Sequence, residues 1–166
     1  LRATLKPRSC EAPSAPSRHA ARSSLNDAVR QLLPLITRRG PLAAGGELRG
    51  TVCILQGRAE FIEKYYETIQ DLLDRRFAVA AFDWRGQGAS SRRVAIASKG
   101  HVGHFREYET DLAAVESRLL ADLPKPWFGL AHSMGAAVAL SASRRGRLPF
   151  ARLVALAPMI ELALVR

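Results

Sequence analysis

The stretch Ala131-His132-Ser133-Met134-Gly135 decides the fold. Its small-x-Ser-x-Gly pattern predicts a sharp turn between a strand and a helix, on which the backbone of Ser133 is strained and its hydroxyl projects beyond the sheet. The positions two before and two after the serine pass close to neighbouring backbone, so Ala131 and Gly135 must be small. The following helix points its free N–H groups and the positive end of its dipole at any anion that forms there. Taken alone, the pattern also fits a chance match in a helix-capping turn.

The sequence around this turn favours the strained serine over the chance match. An apolar strand precedes the turn and a helix of small residues follows it, and two further strand–helix units lie upstream. Alternation of this kind predicts an α/β fold with a parallel sheet and right-handed crossovers. The predicted strands are 51–55, 77–82, 127–130 and 153–157, and the predicted helices are 59–74, 105–121 and 136–143.

Residues 1–48 differ in composition from the rest of the chain. Residues 1–24 are rich in Arg, Ser, Pro and Ala and hold one acidic residue, Glu11, which predicts disorder. The composition also fits an organelle transit peptide. Residues 24–33 show one short amphipathic pattern that ends at Pro34. We expect residues 1–48 to be a disordered or non-native segment and residues 49–166 to form the folded domain.

The net charge of +10 does not predict a nucleic-acid site. Nine of the 25 Lys and Arg residues, but only three of the 15 Asp and Glu residues, lie in residues 1–50. The rest of the excess is scattered and is not interleaved with aromatic residues, as single-stranded nucleic acid would require. We therefore expect no nucleic-acid partner.

Cysteine usage and hydropathy exclude several other classes of protein. No apolar run approaches the roughly 18 residues of a membrane span. The two cysteines, Cys10 and Cys53, are too few for a disulfide framework or a zinc site. Cys53 lies in an apolar run, which predicts a buried, reduced thiol. Gly86-Gln87-Gly88 lacks the helix-opening glycine of a dinucleotide loop. No cofactor and no metal are predicted.

Four segments carry a resemblance to one family. Residues 131–135 are similar to the GHSMG elbow of bacterial lysophospholipases and monoacylglycerol lipases, a family of α/β-hydrolases. Residues 55–60 resemble that family's HG-x-x-E loop, with Gln56 where many members have His. Residues 82–90 resemble its D-x-R-G-x-G-x-S loop, and residues 101–112 its stretch before the next helix. The resemblance covers residues 50–161, which would supply strands three to six of the full fold, whereas residues 1–48 show no likeness to its antiparallel opening strands.

The resemblance implies a serine ester hydrolase acting on lysophospholipid or monoacylglycerol. Ser133 would attack the ester carbonyl and form an acyl-enzyme. The backbone N–H groups of Met134 and Arg58 would hold the oxyanion, with Ala131 and Gly135 as small supports of the elbow. The loop from Asp83 to Ser90 would be structural. The implied location is the cytoplasm, either free or in peripheral contact with a membrane.

In this fold the catalytic triad follows the order Ser, then Asp or Glu, then His along the chain. That order is not completed after Ser133. No Asp or His follows it, and the one later acid is Glu161. We expect no catalytic base among the earlier histidines. His132 is the neighbour of the serine on the turn, and His101 and His104 lie in a loop. We therefore expect a truncated domain that loses on the order of a millionfold in rate, with an open apolar edge at its last strand. A non-catalytic module that binds lipid or a partner is the alternative function.

Overall fold

Five strands form one sheet in the computed structural model, which describes residues 47–96 and 99–161 and the backbone of residues 35–39. The strand order is β1-β3-β2-β4-β5. Strands β2 to β5 are parallel, and β1 pairs with β3 in the antiparallel sense. The strands are β1 (Leu35–Arg39), β2 (Thr51–Leu55), β3 (Ala78–Phe82), β4 (Trp127–His132) and β5 (Arg152–Leu156). The predicted parallel sheet with flanking helices is confirmed.

Three α-helices connect the parallel strands. They are α1 (Tyr66–Asp74), which follows a 3-10 turn at Ile62–Tyr65, α2 (Glu107–Val115), which continues into a π turn at Glu116–Leu120, and α3 (Ser133–Arg144). In the described ranges, none of the helices is both long enough and apolar enough to cross a membrane.

All three helices begin at other residues than predicted: the second differs by two residues, at Glu107 rather than 105, and the first and third differ by more. The first begins later than residue 59 because Ala59 has a positive φ of 58° and Phe61 is extended, with a φ of −147°. The third begins at Ser133 rather than at residue 136 because the strand turns directly into the helix at the serine. The local backbone conformation, which the hydrophobic pattern does not contain, sets both boundaries.

The central strands β2 and β3 are buried on both faces of the sheet, and every residue of each is buried. On one face Cys53 and Phe82 pack against α2 and α3. On the other face Ile54 and Val79 pack against the residues of α1. Two-sided burial explains why these strands read as continuous apolar runs rather than as alternating patterns. Cys53 is fully buried and free, as predicted, and burial raises the pKa of its thiol.

Strand β1 corrects the expectation for residues 1–48. Residues 35–39 pair along their whole length with β3, from Leu35 opposite Phe82 to Arg39 opposite Ala78. The expectation of disorder, with no antiparallel strand before β2, is therefore wrong for these five residues. Their strand signal is short, and the free edge of β3 supplies the pairing that makes them a strand. Residues 1–34 and 40–46, including the amphipathic pattern at 24–33, lie outside the described residues.

Strand β5 forms the other edge of the described sheet, where it pairs with β4 alone. Two of its apolar side chains are exposed to solvent, Val154 by 55% and Leu156 by 50%. They are two residues apart and so lie on one face of the strand. The predicted apolar edge is therefore present in the part of the chain that the structure describes.

Candidate active site

Ser133 occupies the junction between β4 and α3. It is the first residue of α3, directly after His132, the last residue of β4. Its φ is +48°, in the left-handed region that residues other than glycine rarely adopt, and it is half-buried. A backbone held in such a region costs about 1–3 kcal/mol and persists only where the surroundings enforce it. The strained serine turn predicted from the sequence is present.

The small residues around Ser133 are enclosed by backbone. A Cβ on Gly135 would lie 2.2 Å from the carbonyl oxygen of Leu55 and 2.6 Å from that of Gln56. Ala131 is fully buried and pairs in register with Leu55. The end of β2 therefore presses against the start of α3. This contact brings the turn that follows β2 next to Ser133.

The turn after β2 presents the backbone N–H of Arg58 without an acceptor among the described residues. The N–H of Gly57 donates to Glu60 Oε2 at 2.5 Å, and the N–H of Ala59 donates to Gln87 Oε1. Within the described residues, the N–H of Arg58 between them has no hydrogen-bond acceptor. Met134 is the second residue of α3, so its N–H lies in the first turn, where a helix supplies no acceptor of its own. These are the two donors that the sequence pointed to.

Glu60 joins this turn to the residue before the serine. Its carboxylate accepts hydrogen bonds from the Gly57 N–H and from the Tyr65 hydroxyl at 2.7 Å, and it lies 3.2 Å from His132 Nδ1. Burial would raise the pKa of Glu60, but the hydrogen bonds from Tyr65, Gly57 and His132 outweigh it and lower the pKa below its ordinary value. No sequence pattern indicates this contact, because Glu60 and His132 are 72 positions apart.

No imidazole hydrogen bonds to the hydroxyl of Ser133 in the described ranges. The ring of His132 is engaged by Glu60, and His104 Nδ1 accepts the N–H of Arg106 at 3.1 Å. Residues 47–96 and 99–161 also contain no group of three His, Cys, Asp or Glu side chains able to hold a metal ion. The described residues thus supply a strained serine and two free N–H donors, but no base.

The loop after β3 is tied together by Asp83. Its carboxylate accepts the N–H groups of Ile62 at 3.0 Å and Ala89 at 2.9 Å, and its carbonyl accepts the Ser90 hydroxyl at 2.6 Å. Burial raises the pKa of Asp83, against the effect of its hydrogen bonds. Gly88 has a φ of +49°, and a Cβ there would lie 1.9 Å from Asp83 Oδ2. The contacts with Ala89 and Ser90 hold the loop in shape, and the contact with Ile62 ties it to the 3-10 turn after β2.

A buried ion pair holds the same loop to α2. Arg85 Nε and Nη2 donate to the carboxylate of Asp111, with the Nε contact to Oδ2 at 2.9 Å, and Nη1 lies 2.5 Å from Glu107 Oε2. Asp111 is fully buried and the side chain of Arg85 is 7% exposed. Burial would lower the pKa of Arg85, but the two carboxylates outweigh it and raise the pKa. The guanidinium therefore stays charged.

Comparison with known proteins gives matches over the same part of the chain. The profile of the family described as serine aminopeptidase, S33, matches residues 46–165. Lysophospholipase L2 of Escherichia coli (strain K12) is 43% identical over 90 residues, which cover 52% of this chain and 26% of that protein. The probable lysophospholipase L2 of Haemophilus influenzae is 38% identical over 93 residues, covering 55% of this chain and 29% of that protein. The matches thus span about a quarter of the length of these relatives.

Solved structures resemble this chain in fold. The monoacylglycerol lipase of Paleococcus ferrophilus superposes with a TM-score of 0.60 at 23% identity, over 80% of this chain and 46% of that one. Est1E from Butyrivibrio proteoclasticus, solved with ferulic acid bound, gives a TM-score of 0.60 at 19% identity, over 76% of this chain and 49% of that one. At these identities the likeness concerns the fold alone.

Proposed function

We propose that this chain, which belongs to the serine aminopeptidase S33 family, is the nucleophile-bearing part of a serine ester hydrolase acting on lysophospholipid or monoacylglycerol. Its fold is part of the α/β-hydrolase fold. The proposed substrates follow from the lysophospholipases among its relatives and the monoacylglycerol lipase among the similar structures. Because these substrates are lipids, the proposal includes contact with a membrane surface.

The conformation of Ser133 is the observation that carries the proposal. A left-handed serine between β4 and α3 costs free energy, and a serine poised for nucleophilic attack accounts for that cost. In the proposed reaction the oxygen of Ser133 attacks the ester carbonyl, the alcohol leaves, and an acyl-enzyme remains for water to hydrolyse. The N–H groups of Arg58 and Met134 hold the oxyanion, and one such donor is worth about 3–4 kcal/mol in the transition state.

The proton of Ser133 needs an imidazole that the described residues do not offer. His132 is held by Glu60, and no His follows Ser133 in the chain. We place the base and its carboxylate partner in the part of the relatives' length that this chain does not span. The chain alone would then turn over esters on the order of a millionfold more slowly than an enzyme with its triad.

Labelling by a fluorophosphonate, with and without added imidazole, tests the role of Ser133. We expect the folded chain to be labelled at Ser133, slowly in plain buffer and faster as imidazole supplies the missing base. Ser133→Ala should abolish the labelling. Ser141→Ala is the matched control, because Ser141 lies on the same helix with its hydroxyl donating to Glu109 at 2.6 Å. Intact-mass analysis and peptide mapping give the extent and the site.

Equal labelling of Ser133→Ala, or of the chain unfolded in urea, would contradict the proposal. A second candidate is a non-catalytic module that binds lipid, which the lack of an imidazole at Ser133 in the described residues favours. That module would bind a lysolipid while its serine stays unlabelled at every imidazole concentration.

A further inference from the structure

A pocket of about 340 Å³ lies beside the turn that carries Arg58. One wall is this turn, from Arg58 to Phe61. The opposite wall is the loop after β3, where Gly86 and Gly88 flank Gln87 and leave the wall open. The pocket therefore includes the residue whose N–H is proposed to hold the ester oxyanion, and it lies between the two loops.

The charged groups of this pocket favour an anion. The guanidinium of Arg58 makes no ion pair with a residue that the structure describes. The guanidinium of Arg92 is held against the wall by the carbonyl oxygens of Gln87, Ser90 and Gly88. The one carboxylate in the lining, Glu60, is already bonded to Gly57 and Tyr65 and lies against His132.

Gln87 adds a neutral donor to the lining. Its Oε1 accepts the N–H of Ala59, which fixes Nε2 as the donor end of the amide. This Nε2 is buried and has no partner in the described part of the chain, although the side chain lines the pocket. A buried donor without an acceptor is unfavourable, so an acceptor that reaches it stabilises the complex.

We propose that this pocket binds the phosphate of a lysophospholipid headgroup. The proposal rests on the proposed function, since it places the headgroup relative to Ser133. In a lysophospholipid the glycerol joins the acyl ester to the phosphate, so one residue, Arg58, can offer its N–H to the ester and its side chain to the phosphate. Guanidinium groups bind phosphate oxygens through paired, charge-assisted hydrogen bonds. A monoacylglycerol places only a hydroxyl there and leaves the guanidinium without an anion.

Binding of deacylated headgroups to the full chain tests this proposal without any turnover. The probes are glycerophosphocholine, inorganic phosphate and glycerol, titrated into the isotope-labelled protein and followed by NMR. We expect glycerophosphocholine to bind, glycerol to bind at least about tenfold more weakly, and Arg58→Gln to weaken glycerophosphocholine by about tenfold or more. Arg75→Gln is the matched control, because Arg75 is an exposed arginine that pairs with Asp71 on α1. It should bind as the unaltered chain does.

These measurements distinguish a headgroup phosphate from free phosphate, and they distinguish failure of the headgroup proposal from failure of the proposed function. Inorganic phosphate that binds more tightly than glycerophosphocholine would overturn a headgroup site in favour of a free-phosphate site. Equal affinity of Arg58→Gln and the unaltered chain, in variants with matching urea midpoints, would overturn it as well. Labelling at Ser133 without binding of glycerophosphocholine would sink the headgroup proposal alone. Ser133→Ala should bind glycerophosphocholine unchanged, so loss of binding there would also count against the pocket.

Discussion

Glu60 is the residue that joins the turn after β2 to the residue before Ser133. We predict that Glu60→Gln lowers the free energy of unfolding by about 1–3 kcal/mol near neutral pH, because a charged acceptor of two hydrogen bonds is replaced by an amide. The pKa of Glu60 is lowered in the folded state, so its stabilisation is present above its ordinary pKa and is lost as the pH falls through that value and below.

Urea unfolding at several pH values measures this effect. The difference between the unaltered chain and Glu60→Gln should shrink between about pH 6 and about pH 3. Glu67→Gln serves as the control, since Glu67 is an exposed carboxylate on α1. A difference that stays constant over this range would mean that the charge of Glu60 contributes nothing to the contact.

Gly135 is required for stability because the backbone at the end of β2 leaves no space for a side chain there. We predict that Gly135→Ala lowers the free energy of unfolding by about 2–3 kcal/mol, because the new Cβ meets the carbonyl oxygens of Leu55 and Gln56, which the sheet holds in place. Gly146→Ala is the comparison. Gly146 has a φ of +64° but no atom within 4 Å of an added Cβ, so that substitution carries only the strain of about 1 kcal/mol. If Gly135→Ala and Gly146→Ala lower the urea midpoint equally, the end of β2 moves aside to accommodate the new Cβ.

At the scale of elements, the pair between Arg85 and Asp111 fixes the loop after β3 to α2. We predict that Asp111→Ala destabilises the chain by about 3–5 kcal/mol, because it leaves the buried guanidinium of Arg85 with one carboxylate at its edge. Asp71→Ala, which breaks the exposed pair with Arg75, should change the free energy of unfolding, measured with urea, by less than about 0.5 kcal/mol.

The double variant Arg85→Met/Asp111→Leu separates the worth of the pair from the cost of an unpaired charge. Because both charges leave together, we expect it to be more stable than Asp111→Ala alone. A double variant as unstable as the single one would mean that the shape of the pair, rather than its charge, holds the loop to the helix.

The sequence predicts those elements whose signal is local. The runs at 51–55 and 77–82 are apolar because both faces are covered, and the strained turn at Ser133 follows from its small neighbours. Strand β1 was missed because its pairing with β3 supplies what five residues of mixed composition do not. The late start of the first helix was missed because it depends on the positive φ of Ala59, whose N–H is held by a distant glutamine.

The residues of the candidate site also fall into two groups, those that a local motif indicates and those that only tertiary contacts reveal. The family pattern pointed to the serine turn and to the free N–H of Arg58, each within a few residues of a recognisable motif. The contact of Glu60 with His132 joins two motifs, and no spacing within either motif encodes it. That the side chain of Arg58 lines a pocket, and makes no ion pair within the described residues, is likewise visible only in the tertiary structure. The sequence therefore points to the candidate residues, and the tertiary structure shows which contacts hold them.

At the scale of the whole molecule, two features act against each other. The net charge of +10 makes copies of the chain repel at low salt. The edge at β5 attracts, because in the described sheet its outer backbone groups pair with no strand and Val154 and Leu156 are exposed beside them. Salt screens the first effect and leaves the second, so association should rise with ionic strength.

We predict that the purified chain self-associates through β5 and that Val154→Lys reduces this association. A lysine places a charge on the exposed face of the edge strand, where a second strand would have to pack. Light scattering coupled to gel filtration, at low and at high salt over a range of concentrations, gives the mass of the species. Ile96→Lys is the matched control, since Ile96 is 53% exposed and lies in the loop between β3 and α2. If Ile96→Lys lowers the mass as much as Val154→Lys, the net charge rather than the β5 edge governs association. A monomer at every salt concentration would contradict association through the β5 edge.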